Sequence, residues 1–175
     1  MGTPYMLEIV DYEERYAADF RDINLEWIEE MFTVEEIDRQ ILCDPQTHIL
    51  DGGGHIKVAL LGGRAVGVAA VMQTAPGHFE LTKMGVRPEA RGHSAGTKLL
   101  QAMVERARAL GAQELYLLSS RKCQAAVHLY EKFGFRHDLE VMARHGGNYS
   151  RCDVAMSYPL ALKETVPGGT PGFSF

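Results

Sequence analysis

Between Val86 and Leu100 the chain reads Val-Arg-Pro-Glu-Ala-Arg-Gly-His-Ser-Ala-Gly-Thr-Lys-Leu-Leu: an apolar segment ends, a loop of small residues follows, and an amphipathic run begins. A loop that enters a helix this way presents unpaired backbone N–H groups together with the partial positive charge of the helix terminus, and both favour phosphate. Glycines let the backbone approach an anion closely. The same pattern also serves an ordinary strand-to-helix turn in which Gly92 and Gly96 only shape the chain. The loop alone leaves both readings open.

The elements around it follow from periodicity. A strand near residues 7–10 precedes apolar positions Phe20, Ile23, Leu25, Trp27, Ile28, Met31 and Phe32 at helical spacing. A second helix is expected from Thr33, with Glu36 three residues on as a capping box and Asp44-Pro45 as its stop. Asp51-Gly52-Gly53-Gly54 and Leu61-Gly62-Gly63-Arg64 then punctuate short strands at 56–61 and 65–72, an antiparallel meander. A third strand at 78–86 places Glu80, Thr82, Met84 and Val86 on one face if alternation holds.

Beyond the loop, Leu99, Leu100, Met103, Val104, Ala107 and Leu110 form a helical stripe capped by Gly111. Residues 114–118 read as a strand, and Ala126, Leu129, Tyr130 and Phe133 as a helix stopped by Gly134. Two closing strands are expected at 135–143 and 151–159. The alternation is that of a mixed α/β domain. One domain over residues 1–163 is expected, with 164–175, rich in Pro and Gly, as a flexible tail.

Placed on these elements, the sequence resembles the GCN5-related N-acetyltransferase (GNAT) superfamily over most of its length. That family's loop is Arg or Gln, two residues, Gly, one residue, and Gly or Ala. Arg91, Gly92, His93, Ser94, Ala95 and Gly96 match it, except that Ser94 stands where the pattern has its central Gly. Glu80-Leu-Thr-Lys-Met-Gly-Val and Leu129-Tyr-Glu-Lys-Phe-Gly-Phe look like the flanking motifs. Asn24-Leu-Glu-Trp-Ile and Arg151-Cys-Asp-Val-Ala-Met are similar to a bacterial subgroup of small acetyltransferases, in which an Asn is usual where Ser120 stands.

The resemblance implies a mostly antiparallel sheet flanked by helices, with a parallel, splayed strand pair at the cofactor cleft. It further implies acetyl-CoA as cosubstrate. Met84, Gly85 and Val86 would meet its pantetheine arm, and Arg91, Gly92, His93, Ser94, Ala95, Gly96 and Thr97 its pyrophosphate, with Ser120 nearby. Acetyl transfer to an amine needs an uncharged nucleophile and a proton for the departing thiolate. The resemblance aligns Tyr130 with a general acid near the sulfur and Glu80 with a base. A phenol of pKa about 10 can protonate or stabilise a thiolate of about 8.5 when geometry helps. A carboxylate of about 4.3 can relieve an ammonium of about 10 only through water or with a raised pKa. Each has a plainer reading, Tyr130 as an amphipathic core residue and Glu80 as a solvated or ion-paired strand acid. His93 reads as a loop residue, His128 points away from the Tyr130 face, and Cys123 lacks the paired His and base of a nucleophile.

Composition excludes other classes. A net charge of −5 gives no general attraction to nucleic acid, and no apolar run reaches the ~20 residues of a membrane span. Three cysteines, Cys43, Cys123 and Cys152, lack metal-type spacing, so no metal site is expected and a reducing cytoplasm fits best. The expected activity is transfer of acetyl from acetyl-CoA to a primary amine of a small molecule, by direct attack in a ternary complex. The alternatives are a protein or peptide N-acetyltransferase and a non-catalytic acyl-CoA-binding module. A homodimer through an exposed strand at 151–159 is also open.

Overall fold

The computed structural model of the chain describes residues 6–160, so the expected boundary at 163 and the tail beyond it lie outside the described residues. Its strands are β1 (Leu7–Asp11), β2 (His55–Leu61), β3 (Arg64–Ala75), β4 (His78–Val86), β5 (Glu114–Ser119), β6 (Arg136–His137) and β7 (Val154–Tyr158). They form one sheet in the order β1-β2-β3-β4-β5-β7-β6. Every pairing is antiparallel except β4 with β5.

The helices are α1 (Ala17–Met31), α2 (Glu36–Cys43), α3 (Ala95–Ala109), α4 (Gln124–Phe133) and α5 (Leu139–His145). On one face the apolar stripe of α3 packs on Phe79, Leu81, Leu115, Leu117 and Met156, with Leu129 and Phe133 of α4 beside it. Leu99, Leu100 and Met103 are fully buried there, each contributing roughly 1.5–3 kcal/mol. On the other face Phe20, Ile23, Ile28, Ile41 and Leu42 of α1 and α2 cover Ile56, Val58, Val68 and Ala70. The meander, the α3 stripe and the α4 helix stand as the sequence led one to expect.

Four local expectations do not. α2 begins at Glu36 and is capped one residue earlier by Glu35, whose N–H donates to Asp38 Oδ2 at 2.9 Å, so the capping box is Glu35 with Asp38 rather than Thr33 with Glu36. Residues 135–143 are not a strand: after the two residues of β6, Asp138 accepts from the amides of Glu140 and Val141 and starts α5. β7 is not an exposed edge, because it lies between β5 and β6, and the dimer contact expected from it loses its basis.

The fourth difference lies in β4. Val68 pairs with Gly85 but Ala70 pairs with Thr82, so Ala69 faces two residues at a bulge, and Lys83 there has φ +50. One inserted residue inverts the alternation that follows it. Glu80 and Thr82 therefore share a face with Lys83 and Gly85, while Met84 and Val86 pack against the α3 core on the opposite face.

Candidate active site

β4 and β5 are paired in parallel only from His78 with Glu114 to Leu81 with Leu117. Past that point the strands splay, and residues 82–86 present backbone without a β5 partner. A cavity of about 640 Å³ opens between them, bounded by β4, the loop before α3, the end of β5, and α4.

At one end lies that loop. Gly92 and Ser94 both have positive φ, +86 and +59. Ser94 thus adopts the left-handed conformation that the family pattern gives to a glycine, and it stands as the N-terminal cap of α3 without a side-chain capping bond. Among the described residues the amides of Gly92, Ser94, Ala95, Gly96 and Thr97 have no backbone acceptor. Arg91, His93 and Thr97 are exposed. Gly96 has a further constraint, since a Cβ on it would lie 2.9 Å from Leu129 of α4. At the other wall Ser120 is buried, and its hydroxyl accepts from the Lys122 amide at 3.3 Å.

Tyr130 lines the same cavity from α4 at 9% exposure, its ring edge-on to Phe135 with centroids 5.9 Å apart. Burial, with a lesser push from Cys123, raises its pKa above the ordinary phenol value and keeps the hydroxyl protonated. His128 is exposed, as its offset from Tyr130 implies.

Glu80 also lines the cavity, from β4. It is 3% exposed, and its Oε2 has no hydrogen-bond partner among the described residues. Burial raises its pKa from 4.5 to about 7, against the pull of the Lys83 charge and a hydrogen bond from Thr82. This is the raised value that a carboxylate needs to relieve an amine.

Around Glu80 is a cluster the sequence did not reveal. Lys83 Nζ donates to Asp38 Oδ1 at 2.6 Å and to the Tyr149 hydroxyl at 3.1 Å. Arg151 grips Asp38 with two bonds, 2.8 and 2.7 Å, and reaches Glu35 at 3.0 Å. The Arg151 guanidinium also lies over the ring of Tyr149, 4.6 Å from its centroid. Burial works against the Asp38 charge, yet the Arg151 hydrogen bonds and the Lys83 charge hold it below the ordinary carboxylate range. Burial also lowers the Lys83 pKa, which Asp38 opposes. Asp38 sits in α2 and Arg151 just before β7, so only the fold joins them; the two-residue spacing of Lys83 from Leu81 would have sent it to the other face without the bulge. A negative charge at the third position of a capped helix was the available signal for Asp38.

The family model of GNAT acetyltransferases matches residues 12–135. The chain belongs to the GNAT acetyltransferase family. An IAA acetyltransferase of Azospirillum brasilense is 34% identical over 131 residues, 74% of this chain and 76% of its own. An amino-acid acetyltransferase of Mannheimia succiniciproducens is 35% identical over 89 residues, which are 49% of this chain and only 19% of that relative's length. Among solved structures, yncA from Salmonella typhimurium, with its cofactor acetyl-CoA, superposes with a TM-score of 0.68 over 90% of this chain and 96% of its own. At 16% identity that likeness concerns the fold.

As a GNAT acetyltransferase the chain is an acetyl-CoA-dependent acyltransferase. The cleft suits that donor: the amides of Gly92, Ser94, Ala95, Gly96 and Thr97 could receive a pyrophosphate, and the free edge of β4 could pair with an extended amide-bearing arm. No helix of the described residues is long and apolar enough to cross a membrane.

Proposed function

We propose that this GNAT enzyme acetylates a primary amine of a small molecule by direct attack in a ternary complex, with Glu80 as base and Tyr130 as acid. The observation that carries the reading is that two buried groups line one cleft. One is a carboxylate with a bare oxygen and a raised pKa, the other a phenol kept protonated. Acetyl-CoA supplies an activated thioester. The amides of residues 92–97 would hold its pyrophosphate, Met84, Gly85 and Val86 would flank its arm, and Ser120 would lie near its thioester end.

In the transfer the amine's C–N bond forms as the C–S bond breaks. The proton leaving nitrogen goes to Glu80, directly or through one water, and the departing thiolate receives the Tyr130 proton. A small acceptor is favoured by the apolar wall that Trp27, Met31 and Phe32 give the cleft. Two relatives, an amino-acid acetyltransferase and an IAA acetyltransferase, are named for small acceptors, in keeping with this reading.

The test is thiol release from acetyl-CoA with a panel of small amines and a panel of peptides. Turnover confined to small amines is expected. Turnover on peptides alone would replace the acceptor assignment, and binding without turnover on either panel would make the protein an acyl-CoA-binding module.

A further inference from the structure

We propose that Lys83 is a positioning residue for proton transfer at Glu80: its ammonium, anchored by Asp38, keeps the Glu80 carboxyl ionised so that it can take the acceptor's proton. The inference rests on the reading of Glu80 as the base.

The first support is backbone geometry. Lys83 lies three positions after Glu80, and strict alternation would aim it into the α3 core. The bulge opposite Ala69 and the φ of +50 at Lys83 turn it onto the Glu80 face instead. A non-glycine residue adopts that conformation only where its surroundings hold it. The second is the chain of polar groups that results. Lys83 Nζ donates to Asp38 Oδ1 at 2.6 Å and to the Tyr149 hydroxyl at 3.1 Å, and Lys83, Tyr149 and Glu80 line the same cavity. The ammonium is thereby held on the wall of the cavity that the Glu80 carboxyl also lines.

The third is charge. Asp38 has a two-bond partner in Arg151, so it remains paired whether or not Lys83 is charged. Lys83 is the cation whose charge favours the ionised form of Glu80 and pulls its pKa down against burial. The other groups that act on or face Glu80 are neutral or distant: Tyr116 from β5, Tyr149 and Cys152 from the segment before β7, and Asp38 and Arg151 beyond Lys83. Without the ammonium, burial would act on Glu80 unopposed by any adjacent charge, and the base would hold its own proton at working pH.

The experiment is kcat/KM for an amine acceptor between about pH 5 and 9, in wild type, Lys83→Met, Lys83→Arg and Glu80→Gln. Lys83→Met should move the acidic limb up by about one pH unit, a tenfold loss below the limb that shrinks as pH rises. Lys83→Arg should bring the limb back. An acidic limb that stays in place in Lys83→Met overturns the proposal. Should Lys83→Met fail to fold, Lys83→Gln removes the charge and keeps a donor toward Asp38; a limb displaced upward supports the proposal, and an unmoved one overturns it. Glu80→Gln separates the two readings. If it abolishes the limb while Lys83→Met leaves it unmoved, only the Lys83 role falls. If it retains the wild-type limb, Glu80 is not the base and both fall.

Discussion

Gly96 and Leu129 meet where α3 and α4 converge, so closely that a Cβ at 96 would come within 2.9 Å of Leu129 Cδ2 and 3.6 Å of Met84 Cε. The second glycine of the loop before α3 is thus a packing residue as well as a proposed phosphate contact. Gly96→Ala asks only the end of a leucine side chain to move and gains helix propensity, so stability should change by less than about 1 kcal/mol. Gly96→Leu overfills the junction and should cost about 1–3 kcal/mol, read as a lower denaturant midpoint. Because Leu129 precedes Tyr130, the larger substitution should also lower kcat. Equal stability in both variants would show that the helices have room to part.

The packing of Gly96 against α4 was not legible in the sequence, because Leu129 lies 33 residues away along the chain. Local patterns were legible: the stripe on α3, the hairpin glycines at 62 and 63, and the loop that feeds the helix all depend on neighbours in the chain. The left-handed turn at Ser94 was not, because a serine there gives no hint of its φ. The bulge at Lys83 arises from pairing β4 with β3 and cannot be read from β4 alone, and this reversed the face expected for Met84 and Val86. α5 was missed although Asp138, Glu140 and the basic Arg144 and His145 mark its ends in order, since seven residues give periodicity too little length to outweigh Phe135, Val141 and Met142 read as strand. Glu80 and Tyr130 were reached through resemblance, and their shared cleft comes from the splay of β4 and β5.

Tyr130→Phe keeps the ring against Phe135 and removes only the hydroxyl. Turnover should fall by a factor on the order of 10²–10⁴ where protonation of the thiolate limits the rate, with KM for acetyl-CoA nearly unchanged. The buried hydroxyl titrates above the ordinary phenol range, so Tyr130 should contribute no basic limb to kcat below about pH 10. Stability should hold within about 0.5 kcal/mol or rise, measured by denaturation. Full activity would leave Tyr130 a core residue.

Glu80 should make wild-type stability fall with pH. Its folded pKa, about 7, is above the 4.5 of the unfolded chain. The folded state therefore holds a proton that the unfolded state has lost between these values, and stability declines across that window and levels off above it. The decline is on the order of 3 kcal/mol from a single group almost wholly out of water. Glu80→Gln has no such proton. Denaturant midpoints of the two proteins at several pH values should therefore diverge from about pH 4.5 upward, with the variant gaining on wild type and the gap constant above about pH 8. Parallel curves would mean that Glu80 titrates at an ordinary value.

Asp38 has the opposite sign. Its folded pKa is depressed below 3.8 by the Arg151 bonds and the Lys83 charge, in spite of burial, so its contribution is present above about 3.8 and lost as pH falls through the folded value. Asp38→Asn keeps the shape but strands Lys83 and Arg151 with one carboxylate fewer, and removing one member of a buried ion cluster costs about 3–5 kcal/mol. That loss should be seen at pH 7 and should narrow below about pH 4, where the unfolded wild type takes up a proton that the folded protein still refuses. Acetyl-CoA affinity should hold, because the amides of the loop before α3 lie outside the cluster. The acidic limb of kcat/KM should still move, since an unanchored Lys83 deprotonates more readily and its field on Glu80 weakens. A variant that lost stability while keeping the wild-type limb would make the Asp38 cluster a structural clamp with no part in the acidity of Glu80.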